Sequence, residues 1–195
     1  MSNPVLQIII ASTRPGRVGP SVAAWIADRA IAHGAFDVEL IDLAEVNLPM
    51  MDEPNHPRLR SYTHQHTKDW SATIDRADAF IFVVPEYNYG FNAPIKNAID
   101  YLHFEWQHKA LGFASYGGVG AGTRAVQMLK QVVTALKMVP VFDAVNIPFV
   151  LQFLDEDRRL KPNEIMESAA TAMLDELARW TAPLQALRAP AVLPG

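Results

Sequence analysis

The sequence predicts an α/β fold, a three-layer sandwich in which one parallel sheet carries helices on both faces. Three observations predict it. Short apolar runs alternate repeatedly with amphipathic stretches of helical spacing. The runs Val5–Ala11 and Ala79–Val84 are apolar almost throughout, as strands buried on both faces must be. The 195 residues suit one domain with a full core and are too few for two comfortable ones.

The elements follow in order. Val5–Ala11 reads as a first strand, and Ser12–Arg17 as a polar turn after it. Pro20 suits the first turn of a helix, where a missing N–H costs nothing. That helix carries Val22, Trp25, Ile26 and Ala30 on one face and should end near Gly34. Phe36–Leu43 alternates apolar and acidic residues, predicting a half-exposed second strand. A proline-punctuated loop over 48–57 leads into a helix ending near Arg76. Ala79–Val84 is the third strand; the loop Pro85–Asn92 follows, then a helix from about 93 to 102. Ala110–Ser115 reads as the fourth strand, with a loop to Gly122 and a helix facing inward through Val126, Leu129, Val133 and Leu136. Val139–Phe142 is a short fifth strand. Residues 143–161 read as irregular, with a strand-like piece around 145–150. A last helix is expected over 162–186, and the tail bearing Pro190 and Pro194 is expected to be loosely held. One domain spans 1–195, with its core over about 4–186.

Strand–helix alternation of this length fits a five-stranded parallel sheet in the flavodoxin-like order 2-1-3-4-5 with right-handed crossovers. In that order ligands bind beyond the carboxyl ends of strands one and three. The Ser12–Arg17 turn and the Pro85–Asn92 loop should therefore face each other across one crevice.

Composition narrows the classes. A formal charge of −4 gives no electrostatic case for nucleic acid or an anionic membrane. No apolar run reaches the roughly 18–20 residues that a membrane span needs. The N-terminal residues lack the pattern of a signal peptide, so a cytoplasmic location is expected. The absence of cysteine excludes disulfides, thiolate metal sites and a cysteine nucleophile.

The loops carry the chemistry. Backbone N–H groups at a helix start, with Ser12, Thr13, Arg14 and Arg17 in the approach, make a phosphate site. No Gly-Lys-Ser/Thr is present, so this is not a nucleoside-triphosphate loop, nor does it match the dinucleotide fingerprint. In Pro85–Asn92, two tyrosines, two asparagines and a glycine suit a flat aromatic ligand with a hydrogen-bonding edge. Four glycines between Gly117 and Gly122 permit close backbone approach. On the residues alone, solvated arginines, tyrosines plugging the sheet end and glycines serving turns remain alternatives. His64 and His66 stand two apart on an expected helix and should not share a face. His103 and His108 flank a loop beside Phe104 and Trp106, and Asp155 and Asp157 read as solvated. No serine stands in a Gly-x-Ser-x-Gly elbow, and no metal site or catalytic triad has an anchor.

Three strings resemble the NADPH-dependent FMN reductase family, the flavodoxin-like group that includes quinone, azo-dye and chromate reductases. They are IASTRPGR from Ile10, PEYNYGFNAPIKNAIDYL from Pro85 and SYGGVGAGTRA from Ser115. The resemblance implies a non-covalent FMN. Its phosphate would lie at Ser12, Thr13, Arg14, Arg17, Val18 and Gly19, and its ring at Pro85, Glu86, Tyr87, Asn88 and Tyr89. Ser115, Tyr116, Gly117 and Gly118 would close the pyrimidine side. It also implies NADPH or NADH as hydride donor, a small-molecule electron acceptor, no catalytic side chain and no metal. A homodimer or homotetramer is implied as well, with Tyr101, Phe104 and Trp106 as candidate contacts near the flavin. Ala11, where many relatives carry glycine, and the Gly19-Pro20 pair depart from the commoner pattern. The expected function is two-electron transfer from NAD(P)H to quinones, azo compounds or similar acceptors. The alternatives are an electron carrier of the flavodoxin type and a non-catalytic flavin-binding sensor.

Overall fold

A computed structural model describes residues 3–188; the expectation for the tail at Pro190 and Pro194 lies outside the described residues. The chain runs β1 (Val5–Ile10), α1 (Gly19–His33), β2 (Asp37–Asp42), α2 (Leu43–Val46), α3 (Gln65–Asp75) and β3 (Ala79–Pro85). It continues through α4 (Ala93–Asp100), β4 (Ala110–Tyr116), α5 (Thr123–Ala135), β5 (Val139–Pro140), β6 (Val145–Ile147) and α6 (Glu164–Ala186). All strand pairings in the sheet are parallel, in the order β2-β1-β3-β4-β5, and β6 also pairs with β4.

The fifth position of the sheet is therefore shared. β5 lies against Ala110 and Leu111 of β4, while β6 lies further along against Ala114, Ser115 and Tyr116. Pro140 has no N–H to continue a ladder, and the chain leaves the sheet before returning at Val145. The strand-like piece at 145–150 is thus the second half of the edge, shortened to three residues.

Alternation along each central strand builds two cores. Leu6, Ile8, Ile10, Ala79, Ile81 and Val83 pack under α1 and α6. Ile9, Phe80, Phe82 and Val84 point the other way, under α3, α4 and α5. Each fully buried Ile or Phe contributes about 1.5–3 kcal/mol, so register is strongly fixed and both faces must be covered. β2 stands at the edge with half-buried residues. Helix limits follow local chemistry: α1 stops at Gly34 with φ 77°, and Asn163 accepts the Met166 N–H to start α6.

This topology puts every loop that follows a strand at one end of the sheet and every loop that precedes one at the other. Residues 103–109 lead into the start of β4 and so lie away from the crevice. Tyr101 and Trp106 are fully buried, Tyr101 donating to Asp52 Oδ1 and Trp106 packing on Phe80 and Phe82 and donating to Ile99 O at 3.1 Å. That corrects the expectation of subunit contacts near the flavin for Tyr101 and Trp106. Phe104 is part-exposed at this far end beneath the Arg60 guanidinium. His64 also departs from expectation. It precedes α3 in extended backbone, so its ring stacks on His66 at 5.2 Å, and the two hold residue 52 at the side-chain oxygen and the carbonyl.

Candidate functional site

The turn after β1 leaves β-structure at Ala11, whose N–H still donates to Val83 O, and enters α1 at Gly19. Between them Arg17 N–H donates back to Arg14 O at 3.2 Å. Among the described residues, the N–H groups of Ser12, Thr13, Arg14, Gly16 and Val18 have no acceptor. A row of unpaired donors at a helix start is a ready anion site.

The two arginines of the turn have different fates. Arg17 makes two hydrogen bonds to the Asp42 carboxylate, at 2.5 and 2.7 Å, and a third to Ser12 O at 2.6 Å. Its guanidinium is raised above its ordinary pKa, chiefly by the Asp42 hydrogen bond. Burial alone would raise the Asp42 carboxyl, but bonds from Arg17 and Ala44 N outweigh it and hold the carboxyl below the usual range. Arg17 thus fastens the turn to the end of β2. The Arg14 guanidinium takes part in no hydrogen bond or ion pair among the described residues and stands at the cleft.

The loop after β3 begins as a tight hairpin. Tyr87 and Gly90 exchange both backbone hydrogen bonds, at 2.9 and 3.0 Å, around Asn88 and Tyr89 at φ 50° and 70°. Two successive positive φ values make a type I′ turn, and Tyr89 is a bulky residue in a region few adopt. Strain of this kind needs support from its surroundings. Arg124, at the start of α5, supplies it. Its guanidinium lies 3.8 Å from the Tyr89 ring centre and pairs with the nearly buried Glu86 carboxylate. Glu86 also accepts the Arg124 N–H. At the loop's end, buried Asn92 donates to Ala11 O at 2.6 Å and ties the hairpin to β1.

The glycine loop after β4 is held from beneath. Ser115 Oγ donates to Ala121 O and lies 2.9 Å from Asn146 Oδ1, joining the loop to β6. Gly122 sits at φ 84°, and a side chain there would come within 2.7 Å of the Tyr116 nitrogen. Tyr116 is pushed up to about 12 by burial, so its phenol stays protonated and donates to Ser12 Oγ. A Cβ on Gly19 would strike Ser12 Oγ and lie 2.9 Å from Ile10 Cγ2, so only glycine lets α1 start this close.

One cleft of about 470 Å³ gathers the three loops. Arg14, Arg17, Val18, Pro85, Glu86, Tyr87, Tyr116, Gly117 and Gly118 line it. The other site candidates stand apart. Ser12 and Ser115 are wholly buried and serve the loops, and Gly19 is buried at the helix start. Thr13 turns into a neighbouring recess of about 370 Å³ against Asn47 and Asn97. Asn88 and Tyr89 form the exposed hairpin tip.

Residues 149–152 complete the cleft and were read as irregular from sequence. Their signal was the short apolar piece before them: a strand at 145–147 parallel to β4 obliges the next residues to fall at the cleft end. Gly117 N–H donates to Ile147 O, and Phe149 and Val150 donate to Gly118 O and Gly117 O, which clamps the wall to the glycine loop. Arg124 was missed because its partners lie on a loop distant in sequence.

The cleft fits a phosphorylated aromatic ligand. Unpaired N–H groups and Arg14 stand at one end, and mainly uncharged walls from Tyr87, Tyr116, Phe149 and Val150 at the other. Gly118 N–H also lacks an acceptor among the described residues.

The sequence profile of the family described as NADPH-dependent FMN reductase matches residues 5–152. An NAD(P)H-dependent FMN reductase of Schizosaccharomyces pombe is 42% identical over 149 residues, 74% of this chain and 74% of its own. An NAD(P)H:quinone oxidoreductase of Solanum tuberosum is 42% identical over 62 residues, 30% of this chain and 32% of its own. Among solved structures, the flavoenzyme NAD(P)H:(acceptor) oxidoreductase FerB from Paracoccus denitrificans gives a TM-score of 0.73 at 18% identity. That match covers 92% of this chain and 98% of the other, and at such identity it bears on the fold.

Proposed function

The chain belongs to the NADPH-dependent FMN reductase family and is an FMN-dependent NAD(P)H oxidoreductase, and we propose that it passes two electrons by ping-pong transfer to quinones, azo compounds or similar aromatic acceptors. The observation that carries the assignment to this cleft is the unpaired N–H row beside Arg14, opening onto the tyrosine and glycine loops.

A bound FMN would supply the redox chemistry, the exchange of two electrons between NAD(P)H and the acceptor. The chain supplies the rest. The N–H groups of Thr13, Arg14, Gly16 and Val18, with the Arg14 guanidinium, would hold the phosphate. Pro85, Glu86 and Tyr87 form one wall, and Tyr116, Gly117 and Gly118 another. The Gly118 N–H offers a donor to the polar edge of the ring. Phe149, Val150 and Leu151 line the remaining side with apolar surface. No side chain need move a proton, and Tyr116 is already committed to Ser12.

Tyr89, Val119, Phe149 and Leu151 are exposed on the loops around the mouth, which supports a homodimer or homotetramer covering it. No helix among the described residues is long and apolar enough to cross a membrane, in keeping with a cytoplasmic setting.

Initial rates with NADPH and benzoquinone, without any partner protein, test the mechanism. Parallel double-reciprocal lines are expected. Intersecting lines contradict the shared-site scheme, and absence of turnover without a protein partner favours the electron carrier.

A further inference from the structure

Residues 154–160 form a hairpin beyond residue 152, where the family match ends. Leu154 and Leu160 pair across it, Asp155 N–H donates to Arg159 O, and Arg158 N–H donates to Asp155 O. The Asp155 carboxylate accepts the Arg159 N–H at 2.7 Å and pairs with Lys161. At the tip Arg158 adopts φ 60°. Its Nη2 donates to Gly16 O at 3.1 Å and Arg17 O at 3.2 Å, in the turn that carries the unpaired N–H groups.

We propose that Arg158 is a positioning residue for phosphate binding, holding the Gly16–Val18 peptides so that their N–H groups present correctly to the cleft. The reason is peptide geometry. A trans peptide sets its C=O and N–H on opposite sides. With Gly16 O turned to Arg158, the N–H of the same peptide, that of Arg17, points back to Arg14 O, where it is bonded. With Arg17 O likewise held, the Val18 N–H is aimed away from the hairpin, and Val18 lines the cleft. The same hairpin follows directly on the 149–152 wall, so one segment shapes the ring side and fixes the phosphate side. Holding the turn in place before the ligand arrives removes part of the ordering cost of binding.

This inference rests on the FMN reading, and the comparison of FMN with riboflavin, which lacks the phosphate, separates the two. Dissociation constants for both are measured by quenching of flavin fluorescence on wild type, Arg158→Ala, Arg158→Lys and Arg159→Ala. Arg158→Ala should weaken FMN roughly tenfold, the scale of one charge-assisted hydrogen bond, and leave riboflavin unchanged. Arg158→Lys should recover part of that loss. Arg159→Ala removes the same charge one residue away and should bind FMN like wild type. The proposal is overturned if Arg158→Ala binds FMN as wild type does, loses both flavins equally, or is matched by Arg159→Ala. Wild type binding FMN no better than riboflavin overturns the phosphate assignment itself, and the proposal with it.

Discussion

Asp42 shows how a single residue serves the site without touching a ligand. Its carboxylate receives Arg17 and the Ala44 N–H, closing β2 onto the Ser12–Arg17 turn and starting α2 in one move. A carboxyl held below its unfolded pKa adds stability at neutral pH, and that contribution is lost as pH falls through the folded value. Asp42→Asn should therefore destabilise the protein by roughly 1–3 kcal/mol at neutral pH. The gap to wild type should be full above about pH 5, beyond the unfolded carboxyl's range, and close as pH falls through the lowered folded value, read by denaturant unfolding on the acid side. A gap independent of pH would mean that the ion pair is not its source. At this scale the sequence was legible for what lines a loop and poorly legible for what each side chain does. Arg14 and Arg17 look alike in the turn, and only β2, brought alongside by pairing with β1, takes one of them for Asp42.

The loops act as units. The Tyr87–Gly90 turn, the glycine loop and the 149–152 wall are each held by groups outside themselves: Arg124, Ser115 and the carbonyls of Gly117 and Gly118. Gly122 is the point where the glycine loop tolerates least. A side chain there meets both a left-handed backbone and the Tyr116 nitrogen, which cannot move without breaking β4. Gly122→Ala should cost about 2–4 kcal/mol. Gly118→Ala, with nothing within 4 Å of the added methyl, should be near neutral in the same unfolding experiment. Equal losses in the two variants would contradict this account of the loop. The hairpin at Tyr87 was not legible from composition alone, since Asn-Tyr is a weaker signal for a type I′ turn than Asn-Gly. Tyr89 adopts its unusual φ because Arg124 and Glu86 lie beside it, and that support comes from tertiary packing.

Across the whole molecule, the alternation of buried strands and helices was enough to order the sheet and to place three loops at one end. Both faces of β3 are apolar, so its central position was readable before any pairing was known. The split edge was harder. Three residues of β6 carry too little pattern to announce a strand, yet their pairing with β4 decides that residues 149–152 reach the cleft. Tyr101 and Trp106 misled for the opposite reason: aromatic residues near a ligand motif in sequence were drawn into the core. The central claim is that this cleft holds FMN and reduces it with NAD(P)H. The most direct test adds NADPH, without oxygen, to protein that has taken up FMN, then adds benzoquinone in the same cuvette. The flavin absorbance should bleach with about one equivalent of NADPH and return with the quinone, since each step moves two electrons. Protein that binds FMN but leaves its absorbance unchanged on adding NADPH would contradict the account.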